Sequence, residues 1–331
     1  MNSFSHIIIF IILVFIYIQI IHQTQVSEDY EIYELDYINN NHLHNICNIK
    51  QPIIFQYNAD INNMINFNTF QQFQDIEMNI KNTDDYYSNN NIDSVSLPFQ
   101  NLLNLINNSK KTYFTENNEN FIKETELIKY FQENNYNLKP HFTINTIYDI
   151  ISGSINSYTP LRYHTHYRHF IYVNSGKITI KMTPWTNHKY LHMINDYNNF
   201  EFYSSVNVWN PQAQYQNDFQ NVKFIDIDII PGSIIYIPSY WLYSIKFLES
   251  NTLLTTFTYN SIINCVSNIK HYLLYYFQYY NTTNKLLKPI TSDSIITENN
   301  NINDLCDKKE DTDTIEIKNE NENENENQDG I

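Results

Sequence analysis

LRYHTHYRHFIYVNSGKITIKM, residues 161–182, decides how this chain of 331 residues is read, and PGSIIYIPSYWLYSIKF, residues 231–247, is its counterpart. Each alternates or runs apolar over strand-length pieces divided by Pro, Gly or Asn, the pattern of short β-strands. His164 and His166 are two residues apart, so on a strand they share one face at a spacing that suits metal ligands. His169 lies an odd number of residues from both. A regular strand turns it the other way, and a bulge is needed to bring it round. Gly176 falls between two strands, where a tight turn calls for a positive φ. Pro231 and Gly232 turn the chain into a strand, Pro238 ends it, and Trp241 begins the next.

The period of two sets in near residue 142 and continues through FTINTIYDI, FIYVNS, KITIKMT, VKFIDIDII, GSIIYIP and TLLTTFTY. Many short strands with no helices between them predict an antiparallel sandwich or barrel. Residues 261–280, SIINCVSNIKHYLLYYFQYY, predict a long apolar helix packed on that sheet. Upstream, Ile49–Phe55 reads as a strand entered through Pro52. The rest of 60–135 reads as helical, with Phe121, Ile122, Leu127, Ile128, Tyr130 and Phe131 on one face, and polar 82–95 as a loop.

Four parts follow: 1–23, a hydrophobic anchor or signal segment; 24–141, a helical region with one early strand; 142–285, the strand-rich domain with its closing helix; and 286–331, an acidic disordered tail. Residues 7–21 are apolar but for Gln19, close to the roughly 20 residues that cross a bilayer. No A-x-A cleavage site follows, and Glu28, Asp29 and Glu31 come just after the span. A single-pass anchor with the body on the non-cytosolic side is expected; a cleaved signal peptide with a secreted body, or a buried helix, are the alternatives.

Composition excludes several classes. The net charge of −16 leaves no basic face for nucleic acid. About −9 of it lies between Glu298 and Ile331, so the body is only mildly acidic. Three Cys are too few for a disulfide scaffold, though Cys47 and Cys265 remain a candidate pair. Four Gly form no phosphate-binding loop. Arg occurs only at 162 and 168, and Trp only at 185, 209 and 241. These scarce residues crowd around the two stretches quoted above.

The two stretches together resemble the cupin superfamily, whose pattern is G-x5-HxH-x3,4-E-x6-G followed by G-x5-PxG-x2-H-x3-N. His164 and His166 stand as the HxH, His169 in place of the Glu, and Gly176 closes the first motif. Gly232, Pro238 and Tyr243 keep the spacing of the second. The similarity is closer to the JmjC-type branch, through Thr159-Pro160-Leu161, Gly176-Lys177 and Ile237-Pro238-Ser239-Tyr240-Trp241. It spans about residues 30–285 and extends to cupin-like proteins of giant DNA viruses and algae. The fold it implies is mainly β: a double-stranded β-helix, or jelly-roll barrel, with flanking N-terminal helices and a C-terminal helix.

JmjC-type hydroxylases hold Fe(II) with His, Asp or Glu, and a distal His. Those positions carry Arg162, His164 and Tyr243 here. Arg cannot ligate a metal, and Tyr is a poor substitute in a ferrous site. The resemblance therefore implies a membrane-anchored binding or structural module without the iron triad and without a cofactor. A remodelled cavity is then expected, lined by Trp241 and partnered by an unknown protein or a small anionic ligand held by Arg162, Arg168 and the His cluster. The alternative is an Fe(II)/2-oxoglutarate-dependent hydroxylase with a displaced metal site at His164, His166 and His169. Lys177 or Lys181 would then pair with 2-oxoglutarate, yet their alternation with Ile178, Ile180 and Met182 points both to solvent. Asp226 and Asp228 read as a solvated strand edge.

Overall fold

The computed structural model describes residues 3–57, 64–89, 94–108 and 111–284. The chain divides into two compact units, Met1–Phe277 and Gln278–Ile331. The expected acidic tail, 286–331, lies outside the described residues. In the first unit the fold is mainly sheet, with a helix at the N-terminal end and helices after the last strand.

The strands are β1 Tyr33–Glu34, β2 Ile53–Gln56, β3 Glu77–Asn82, β4 Val95–Pro98, β5 Tyr113–Thr115, β6 Thr143–Gly153, β7 Arg162–Tyr163, β8 Arg168–Ser175, β9 Ile178–Thr183, β10 Met193–Asp196, β11 Glu201–Ser204, β12 Ile225–Ile229, β13 Ser233–Ile237, β14 Leu242–Phe247 and β15 Thr252–Ser261. One sheet has the order β1-β2-β13-β8-β15-β6-β5-β3-β4, the other β10-β11-β7-β14-β9-β12. From β6 onward the chain passes repeatedly between them. β6, β8, β13 and β15 belong to the first sheet; β7, β9, β12 and β14 belong to the second.

Alternation explains how these segments fill three layers. In β8, His169, Ile171 and Val173 face the second sheet, whereas Arg168, Phe170 and Tyr172 face the helices outside. Ile178, Ile180 and Met182 of β9 and Ile245 and Phe247 of β14 complete the layer between the sheets. Phe70, Phe99, Phe121, Phe131 and Phe257 build the outer layer under the N-terminal helices. β15 lies between β6 and β8 and is buried along its whole length.

Gly176 sits at a corner between sheets rather than in a hairpin, because β8 and β9 belong to different sheets. Its φ is +72°, and a Cβ there would stand 2.2 Å from Thr252 Oγ1 and 2.7 Å from Thr252 Cα. Gly232, with φ +85°, makes the reverse corner from β12 to β13.

The region 24–141 differs from its helical expectation. The early strand is present as β2, but β3, β4 and β5 extend the first sheet beyond β6. The helical face near residue 121 is divided into Glu119–Glu124, Ile128–Glu133 and Asn135–Leu138. Glu126, at φ +56°, interrupts it with a left-handed residue. Within 82–95, Thr83–Asn89 is helical and β4 begins at Val95. The closing helix is also broken: Ile262–Ser267 and Ile269–Asn284 meet at Asn268. Cys47 and Cys265 are both free thiols.

Helix α1, Ser3–Thr24, is long and apolar enough to cross a membrane, as an anchor or a signal sequence is.

Candidate functional site

A cavity of about 400 Å³ opens where β7 and the start of β8 meet, and Arg162, His164, His166, His169 and Tyr243 all line it. The chain leaves the pleat between Tyr163 and Arg168, so the odd offset of His169 no longer turns it away. The rings of His164 and His169 lie 4.6 Å apart and those of His164 and His166 5.5 Å apart.

Backbone contacts hold this His segment. The Thr165 carbonyl accepts from Asn264 Nδ2 at 3.0 Å and Asn268 Nδ2 at 3.3 Å. The His164 carbonyl accepts from the Tyr240 N–H at 2.9 Å. Tyr240, in the stretch before Trp241, has φ +64°, a costly conformation for an aromatic residue that surrounding structure must enforce.

His166 Nδ1 lies 3.0 Å from Asn260 Oδ1, and His169 Nδ1 lies 2.8 Å from Thr258 Oγ1. His169 Nε2 is 3.4 Å from the Tyr243 hydroxyl. His164 is only 8% exposed; neither ring nitrogen completes a hydrogen bond of good geometry, although the Ile237 backbone lies within reach of the ring and favours its charged form. Desolvation by burial and the neighbouring imidazoles hold His164 well below the ordinary histidine pKa. Burial, with His166 and Arg162 nearby, takes His169 to about 3. Burial also lowers His166, against the opposing effect of its hydrogen bond to the Asn260 Oδ1 acceptor. All three are therefore neutral at pH 7.

A buried ion network borders the His cluster. Glu116 binds Arg162 at 2.5 Å and Lys81 at 2.9 Å, and Lys81 reaches Glu201 at 3.2 Å. Lys81 lies on β3 and Glu116 directly follows β5 in the first sheet, while Arg162 and Glu201 come from β7 and β11 of the second. The network thus ties the sheets together across the cavity wall. Burial raises the Glu116 pKa, but Arg162 and Lys81 outweigh it and hold the carboxyl at about 2. Asp149 accepts from the backbone N–H groups of Asn117 and Asn118 at 2.7 and 2.6 Å. Burial outweighs those bonds and raises Asp149 to about 7.

The three triad positions converge. Arg162 and Tyr243 pair directly across β7 and β14, with the guanidinium 5.8 Å from the Tyr243 ring centre. The His164 and Tyr243 rings are 6.0 Å apart. These donors do not fit ferrous iron: Arg162 is a fixed cation bound to Glu116, and burial holds the Tyr243 hydroxyl protonated. The three histidines come together on the cavity wall. Among the described residues no group of three or more His, Cys, Asp or Glu side chains is arranged to hold a metal ion.

Other expected site residues lie elsewhere. Arg168 is 1% exposed and turned to the outer face of the first sheet. There it donates to Asn48 Oδ1 at 2.6 Å and the Tyr236 hydroxyl at 3.1 Å, and packs 4.1 Å from the Tyr167 ring centre. It does not line the cavity. Lys177 and Lys181 face outward from β9, as their alternation implies, and pair with Asp228 at 2.6 Å and Asp226 at 2.8 Å. They are not placed to meet a ligand in the cavity. Trp241 is fully buried in the layer between the sheets and does not line the cavity. Lys81, Glu116, Asp149 and Glu201 were not singled out by sequence. They lie outside the motif stretches, and nothing local marks them as buried charges.

Compared with known proteins, the sequence matches no family model and no curated protein.

Proposed function

We propose that this chain is a membrane-anchored, cupin-like (JmjC-type) barrel in which an ion network replaces the iron triad, and that its cavity binds a small neutral polar molecule. The strand order supports the barrel. β13-β8-β15-β6 face β7-β14-β9-β12 with repeated crossing between sheets, the arrangement expected of a double-stranded β-helix. α1 serves as the anchor, and the acids that follow it favour a non-cytosolic body.

His164 carries the binding reading. The Ile237 backbone can engage one His164 nitrogen at most, and the other, buried and unpartnered, is costly unless a ligand completes its bond. That nitrogen can pair with a hydroxyl group, which both donates and accepts. A neutral ligand is favoured because the two lining cations, Lys81 and Arg162, are already matched by Glu116 and Glu201. The small anion expected from Arg162 and Arg168 finds Arg162 matched by Glu116, and Arg168 buried away from the cavity with its donors taken by amide and phenol groups.

Ligand-induced thermal stabilisation tests this reading. The detergent-solubilised full chain is melted with a panel of monosaccharides and polyols, and separately with Mn(II) plus 2-oxoglutarate. At least one neutral compound raises the melting temperature, and His164→Ala removes that rise. A rise produced only by Mn(II) plus 2-oxoglutarate contradicts the proposal.

A further inference from the structure

We infer that the helices after β15 seat the body on the bilayer surface, with an apolar stripe from Ile262 to Phe277 lying in the lipid interface beside α1. This rests on the reading of α1 as a membrane anchor. Ile269, Leu273, Tyr276 and Phe277 are all exposed and recur at i, i+4, i+7 and i+8, a single stripe along one helix face. Ile262 and Val266 continue the exposed apolar surface on the preceding helix.

The opposite face is already occupied by protein. His271 Nδ1 lies 3.1 Å from the Tyr197 hydroxyl, Tyr272 stacks on Phe200 at 5.2 Å, and Tyr275 meets Phe200 edge-on at 5.5 Å. The body therefore fixes which way the stripe points. A single exposed apolar residue needs no explanation, but a continuous row does.

The position of α1 identifies the occupant as lipid. The last turn of α1 packs against Ile262–Ser267, where Ser267 Oγ donates to the Ile20 carbonyl at 3.5 Å and to the Ile263 carbonyl at 2.8 Å. Gln23, near the end of α1, is buried, whereas the apolar window of α1 is not buried against the body. Ile262–Ser267, where the stripe begins, therefore sits beside the end of α1.

Composition agrees. Residues 262–277 contain no Asp or Glu in a chain of net charge −16, and their one Lys, Lys270, can extend its ammonium to the headgroups. Tyr276, within the stripe, is of the type that concentrates at membrane interfaces. Phe200 both stacks on Tyr272 and lines the cavity, so this seat lies behind one cavity wall.

The test places an added tryptophan in the stripe of the full chain reconstituted into phosphatidylcholine vesicles. Leu273→Trp, or Ile269→Trp should the first fail to fold, is compared with Phe15→Trp in mid-α1. Quenching by lipids brominated near the headgroup or deep in the chain is read as the difference from the parent, which holds Trp185, Trp209 and Trp241. The expected result is at least twofold stronger quenching of the stripe position by shallow bromine than by deep bromine, with the reverse at position 15. Quenching at 15 with none at 273 and 269 overturns the inference and leaves the anchor standing; the stripe then faces water, a second copy or another protein. No quenching at any of these positions means that α1 is not in the bilayer, and both readings fall.

Discussion

Glu116→Ala is expected to destabilise the fold by about 3–5 kcal/mol, the cost of breaking a buried ion pair and stranding its partner. Glu116 is 2% exposed and bonds both Arg162 and Lys81. With the carboxylate gone, Lys81 retains Glu201, but Arg162 has no acid in contact among the described residues. The double variant Glu116→Ala/Arg162→Met should recover at least half of the loss, because it removes the unmatched cation. Denaturant unfolding of the detergent-solubilised full chain measures both values. A loss below about 1 kcal/mol for the single variant, the range of surface pairs, would show that the network is solvated and does not clamp the sheets.

The second large effect is on acid stability. His169 titrates near 3 in the fold, below its ordinary value of 6.5. Between those values the unfolded chain binds a proton that the folded chain refuses, so stability falls as pH drops from 6.5 toward 3. His164 and His166 are lowered too and act in the same direction. Glu116, held at about 2, contributes stability that is present above 4.5 and lost as pH falls through 2.

Asp149 has the opposite sign. Raised to about 7, it holds a proton that the unfolded chain releases, so its contribution is present at low pH and lost as pH rises through 7. The two variants His169→Gln and Asp149→Asn should therefore diverge. Between pH 6.5 and 4, His169→Gln loses less stability than the parent, by roughly 3 kcal/mol at one pKa unit per 1.36 kcal/mol. Asp149→Asn loses more than the parent over the same range. Parallel stability curves for the parent and both variants would remove the basis for these buried titrations.

Much of the strand-rich half is legible in the residues themselves. The period of two, the corner glycines 176 and 232, and the outward lysines 177 and 181 all follow from alternation and positive φ. The convergence of Arg162, His164 and Tyr243 follows from motif spacing. Other features depend on contacts remote in sequence. β3 and β5 are short and flanked by polar residues, and only pairing beside β6 makes them strands. Glu116 and Lys81 look like ordinary surface charges until that pairing carries them against Arg162 from the other sheet. His169 defied the alternation rule because the chain leaves the pleat after Tyr163. Arg168 looked like an anion site, yet it fills a layer of aromatic and amide partners on the far face of the same strand.

The proposed function has an ion network and an open histidine, in place of a metal centre, between the two sheets. Elemental analysis of the full chain, purified without chelators from cells supplied with iron, manganese and zinc, tests it most directly. The expected content is well under 0.1 equivalent of any of these metals per chain, unchanged by His164→Ala. One equivalent in the parent that His164→Ala abolishes would contradict it and restore the hydroxylase reading.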